Sequence, residues 1–226
     1  MSGNKLMPDT IPATHIVRPM PPVSSHDRIL QSAKRLFARN GYENTSTVAI
    51  AREAGTSESQ LMKHFGSKQG LLAAIFDRGW ASIADRVQST QGTGSPADRL
   101  FGVLQSMVME LESDADLKEL MALEARRVRK DNRDVLVGHG FRQFAAVVDR
   151  LLGEMQSQGQ IRPDLKLDAV RAAFIGLTEG LVRDQVVARR SEIRADYSFD
   201  DITKMLELLV PALASDGMRP LRAVSQ

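Results

Sequence analysis

An all-α fold is predicted by three features of this sequence. Apolar residues recur at spacings of three and four along most of the chain, the period of one helix face. Ser, Thr or Asp opens these patterns and Gly closes several of them, as the unpaired backbone groups at helix ends require. No stretch alternates apolar and polar residues like a half-buried strand, and no glycine-rich phosphate loop occurs.

Composition narrows the class further. The 226 residues, 42% hydrophobic and 26% charged, suit one large or two modest soluble domains. Cysteine is absent, which excludes disulfides and thiolate metal sites and fits a reducing compartment. No apolar run approaches the roughly 18 residues of a membrane span, and the N-terminus lacks a signal-peptide core. A cytoplasmic protein is expected. The net charge is only +2, but between 24 and 72 seven Lys and Arg stand against four Asp and Glu. That local surplus suits a small nucleic-acid-contacting unit on a near-neutral body.

Residues 1–23 carry Pro8, Pro12, Pro19, Pro21 and Pro22, which preclude a long helix. They read as a disordered arm, or alternatively as one in which Lys5 or Arg18 reaches a DNA groove. Ser24 and Asp27 then form a capping-box signature before Ile29, Leu30, Ala33, Leu36 and Phe37, one face of a first helix that Asn40-Gly41 stops. Tyr42 reads as a core or hinge residue. Ser46 or Thr47 caps a second helix through Ala54, with Val48, Ile50, Ala51 and Ala54 as its apolar side. Gly55 turns the chain, Ser57 caps a third helix to about His64, and Gln60 stands at capping-box spacing. Ala51, Gly55 and Leu61 supply the small residue, tight turn and core anchor of a helix-turn-helix.

At these residues the sequence resembles the TetR family of one-component transcriptional regulators. The resemblance runs over roughly 24–80, through Phe37, Gly41-Tyr42, Thr45-Ser46-Thr47, Ile50-Ala51, Ala54-Gly55, Ser57, Leu61, His64-Phe65 and Ser67-Lys68. Two positions depart from the family pattern: Met62 replaces the usual Tyr, and Ser59 a frequent Gly. The loss of the phenol removes one expected phosphate contact.

The third helix is the candidate reader of DNA. Its outward Glu58, Ser59, Gln60 and Lys63 fit a major groove, where Gln pairs with adenine, Lys with guanine or phosphate, and Glu with cytosine. Glu58 is equally suited to be a helix-start charge. Ser46, Thr47, Thr56 and Ser57 lie at the helix starts and the turn, and backbone N–H groups at helix starts bind anions. The family resemblance implies phosphate contacts from Thr47, His64 and Lys68. Each residue taken singly also suits a solvated helix face. His64 has no partner at helical spacing, so no metal site is expected, and no cofactor.

The rest of the chain reads as further helices: Ser67 to about Gln88, Pro96 to about Glu112, Asp114 or Asp116 to a basic end at Arg126–Lys130, Asn132–Gln158 as the longest, then 165–190 and 199–214, with Pro211 kinking or shortening the last. Four segments follow: a disordered arm at 1–23, a helix-turn-helix DNA-binding head at 24–72, a helical ligand-binding and dimerisation body at 73–214, and a flexible tail at 215–226. The resemblance implies that the last two helices pair with those of a second copy, where Ala169, Ala173, Gly176 and Gly180 permit close approach. It also implies an effector pocket in the body. Phe101, Met107, Met109, Met121, Phe141, Phe144 and Phe174 are candidate walls, since aromatics and Met form adaptable apolar surface, although such stripes are also ordinary core. The expected protein is a homodimeric regulator, most simply a repressor, that binds a palindromic double-stranded operator and is released by a small apolar or amphipathic molecule. An architectural DNA-binding factor whose body holds a protein partner is the alternative. Catalysis is not expected, with no cysteine nucleophile, Gly-x-Ser-x-Gly turn or HExxH.

Overall fold

The computed structural model describes residues 24–90, 94–125, 127 and 138–212. The arm at 1–23, the tail at 215–226, and Arg126, Arg129, Lys130, Val135 and Leu136 lie outside the described residues. Within them the fold is all-α, with nine helices: α1 Ser25–Asn40, α2 Thr47–Glu53, α3 Glu58–Phe65, α4 Lys68–Thr90, α5 Pro96–Ser113, α6 Ala115–Glu124, α7 His139–Ser157, α8 Leu167–Ala188 and α9 Phe199–Ala212.

The caps foreseen in the sequence form as hydrogen bonds. Ser24 accepts from the Asp27 backbone N–H, Ser46 from Ala49, Ser57 from Gln60 and Ser67 from Gly70. Ser95 and Asp98 complete a full capping box at the start of α5, with Pro96 inside the first turn. At Ser57 the hydroxyl accepts from the Gln60 N–H, which is half of such a box. Asp114 caps α6 through the Leu117 N–H.

Two expectations are corrected. The helix expected from Asn132 to Gln158 is shorter where it is described: α7 begins at His139, after Gly138 in extended conformation (φ −70°, ψ 171°), and 132–137 lie outside the described residues. Among the described helices α4, at 23 residues, is the longest. Val48, assigned to the apolar side of α2, instead faces solvent at 48% exposure, and Ile50, Ala51 and Ala54 alone make the buried side.

One apolar core runs from Ile29 and Phe37 in the head through Leu71, Ile75, Leu104 and Met107 to Phe144, Leu152 and Ile202 in the body. In that core α4 lies against α5 and α7, while α6 lies between α1 and α8. The α4–α7 crossing is close: a Cβ on Gly140 would stand 2.5 Å from that of Trp80. Phe141 and Phe144 bracket the Trp80 indole, with centroids 5.1 and 5.0 Å away.

Candidate nucleic-acid interface

The head is a three-helix unit built around Leu61. This side chain is fully buried in the core that also holds Ile29, Ile50 and Leu71, so the opposite side of α3 must face outward. Gly55, at φ +63°, makes the turn between α2 and α3 in the left-handed region that favours glycine. Thr56 N–H closes that turn on the Ala51 carbonyl at 3.0 Å. Side chains lock the arrangement from outside. Arg28 donates to the Ala54 carbonyl at 3.1 Å, and Arg35 reaches Glu53 on α2 at 3.0 Å. Thr45, buried, donates to the Leu36 and Gly41 carbonyls and so holds the end of α1.

Each candidate DNA-contacting residue can now be placed. Ser59, Gln60 and Lys63 are exposed on α3. Ser46 and Ser57 are exposed but engaged as caps, and Thr56 is half-buried in the turn. Thr47 and Glu58 meet each other: the threonine hydroxyl donates to Glu58 Oε1 at 2.5 Å, joining the starts of α2 and α3. His64 is exposed at the end of α3, with Nε2 3.2 Å from the Ser25 hydroxyl and its ring edge-on to His26. Lys68 lies 4.4 Å over the buried Tyr42 ring and donates to the Glu43 carbonyl at 3.2 Å. A cation held this way is pre-positioned, having lost part of its side-chain freedom already.

Several ties the sequence did not reveal join head to body. Arg78 on α4 pairs with Asp27 on α1 at 2.5 Å. A hydrogen bond from Ser24, and then Arg78, hold the Asp27 carboxyl below its ordinary value. Lys34 on α1 pairs with Asp114, the cap of α6. Arg190, just past α8, donates to the Ala38 carbonyl near the end of α1 and pairs with Glu119 on α6. Such contacts span up to 152 positions, and no local pattern announces them. A cavity of about 110 Å³ lies at this junction, bordered by Gln31, Lys34, Arg78 and Glu110.

The candidate effector residues lie elsewhere. Met107, Met121, Phe144 and Phe174 are buried in the common core, Phe101 and Phe141 are packed against it, and none borders the junction cavity. Met109, also a candidate wall, is exposed at the surface of α5.

On α8, Ala169, Ala172, Ala173, Gly176 and Gly180 are exposed, and a Cβ on either glycine would meet nothing within 4 Å. On α9, Met205 and Leu208 are exposed, Leu208 by 70%. Among the described residues no group of three His, Cys, Asp or Glu is placed to hold a metal ion, and no helix is long and apolar enough to cross a membrane.

Comparison with known proteins agrees with this geometry. The family model for bacterial regulatory proteins of the tetR family matches residues 29–75, from α1 into α4. Over 200 residues the chain is 28% identical to the HTH-type transcriptional regulatory protein RaaS of Mycobacterium tuberculosis, covering 86% of this chain and 89% of that one. Its fold is similar to that of the fatty acid degradation regulator FadR from Bacillus halodurans, with a TM-score of 0.72 at 20% identity over 86% of this chain and 97% of the other. It is similar too to FadR from Bacillus subtilis, solved in complex with stearoyl-CoA: TM-score 0.70 and 19% identity over 83% and 98% of the two chains. With the family's signature lying on α1–α4 and a similar fold carried through the body, the chain holds a tetR-family DNA-binding domain at residues 29–75 and is similar along most of its length to transcriptional regulators.

Proposed function

We propose that this protein is a ligand-responsive transcriptional repressor that binds a palindromic operator as a homodimer. The observation that carries the reading is α3: a capped helix anchored by Leu61, with Ser59, Gln60 and Lys63 free on its outer side. Such a helix fits the major groove and presents groups that pair with base edges. Thr47, His64 and Lys68 are assigned to flanking phosphates. Glu58, engaged by Thr47, ties the start of α3 to that of α2 and is a second choice as a base contact.

Dimerisation through α8 and α9 is supported by the small-residue row on one helix and the exposed Met205 and Leu208 on the other. Small residues let helices approach closely, and two exposed apolar side chains on one short helix gain by burial. A dimer sets two heads against half-sites about 34–36 Å apart. The reading calls for no catalysis, and the relatives compared are regulators.

The effector is assigned to the body, among α4–α8. The similarity to a regulator solved with stearoyl-CoA favours an acyl thioester, which is amphipathic, as the aromatic and Met-rich interior suits. Occupancy would reset the head through α4, tied to α1 by Arg78–Asp27, and through α6, tied by Lys34–Asp114. The ligand acts only as far as it prefers one head spacing over the other. The test is selection of bound duplexes from a random pool, followed by titration of acyl-CoA into the complex. A palindrome released by acyl-CoA supports the reading. A selected palindrome that no small molecule releases supports an architectural factor instead.

A further inference from the structure

We infer that Met62 is a specificity-determining residue that reads the 5-methyl group of a thymine in the operator half-site. The inference rests on the proposal that α3 enters the major groove. Met62 lies on α3 one residue past the anchor Leu61 and is 42% exposed, although it is large and apolar. Seen down the helix it shares a flank with Glu58, one turn earlier, whose carboxylate holds Thr47 at the start of α2. That flank lies between the side buried at Leu61 and the outermost positions, Ser59 and Lys63. The side chain therefore borders the outer surface of α3 on the flank toward Thr47, away from Gln60 and His64.

Among the base edges of the major groove, a thioether finds one partner. Base edges in the major groove are hydrogen-bonding groups with a single apolar exception, the thymine methyl. Phosphates offer nothing to a side chain without donors. A flexible, polarizable Met adapts to the methyl without the exact fit a branched side chain demands. Isolated exposed apolar residues are common on surfaces, so exposure alone would say little. Here exposure coincides with the recognition helix and with the loss of the phenol expected at this position from the family pattern. A contact to the backbone is thereby exchanged for one that carries sequence information.

The test uses the full-length protein and a duplex selected from a random pool. Each thymine of one half-site is replaced in turn by deoxyuridine, which removes the methyl and leaves all base pairing intact. One position should lose affinity by about fourfold, the equivalent of burying one methyl group. In Met62→Ala that position should become indifferent to the methyl, while the remaining thymines respond as in the wild type. Met62→Gln, similar in length but polar, should behave like Met62→Ala; since the side chain is exposed, both variants should keep the wild-type melting temperature. Equal loss for Met62→Ala on thymine and uracil duplexes would place Met62 on the backbone and overturn the inference. So would a uridine effect that persists in both variants. Failure to select any duplex would count against the DNA-binding reading itself, a separate outcome.

Discussion

Ser57 is the smallest unit on which the DNA-reading surface depends. Its hydroxyl satisfies the Gln60 N–H and starts α3 at the residue after it. Ser57→Ala should lower stability by about 1 kcal/mol in urea denaturation, a typical cost of a lost cap. It should also weaken binding to specific duplexes more than its effect on stability accounts for, because the first turn carries Ser59 and Gln60. Gln60→Ala should leave the fold unchanged and relax base preference at one position per half-site, read by repeating the selection; an unchanged preference would remove Gln60 from base readout. Lys68→Ala acts differently. It should weaken binding to all duplexes alike and flatten the salt dependence by about one counterion per half-site, as expected for a phosphate contact.

Among the elements, α1, α2 and α3 were legible because their signals are local: a serine before each, and Gly41 or Gly55 at the turns that follow α1 and α2. Residue type, spacing and backbone conformation coincide there, so neighbours in sequence decide the outcome. The start of α7 was not legible, since Val135 and Leu136 continue the apolar period of the helix in the sequence, whereas Gly138 stands extended just before His139. Exposure of Val48 on α2 was hidden for a related reason: periodicity over seven residues leaves the buried arc poorly defined. Arg190 on Ala38 and Arg78 on Asp27 depend on tertiary approach alone. Two expectations belong at this scale. Gly140→Ala should destabilise by about 1–3 kcal/mol in thermal melts, because the added carbon meets the Trp80 Cβ and α7 must shift from α4. The Asp27 carboxyl, held below its ordinary value by Ser24 and Arg78, stabilises the α1–α4 tie above that ordinary value and loses the effect as pH falls through its lowered pKa. Asp27→Asn should therefore be less stable than the wild type at neutral pH, and the gap should close on acidification; a gap constant with pH would contradict the assignment.

At the scale of the whole molecule, α6 lies between α1 of the head and α8, the helix with the small-residue face. Arg190 joins all three, from the end of α8 to the Ala38 carbonyl of α1 and Glu119 of α6. Arg190→Met should preserve dimerisation and effector affinity while changing the coupling between effector and DNA by about 0.5–2 kcal/mol, seen as a shift in the acyl-CoA concentration that releases half the complex. The decisive measurement concerns α3 itself. Ser59, Gln60, Met62 and Lys63 are replaced together by alanine, and binding to the selected palindrome and to an unrelated duplex is titrated over a range of salt. Affinity for the palindrome should fall to that for the unrelated duplex, while binding to the latter, carried by Thr47, His64 and Lys68, persists with nearly its original salt dependence. Continued discrimination between the two duplexes by this quadruple variant would show that sequence is read elsewhere on the protein.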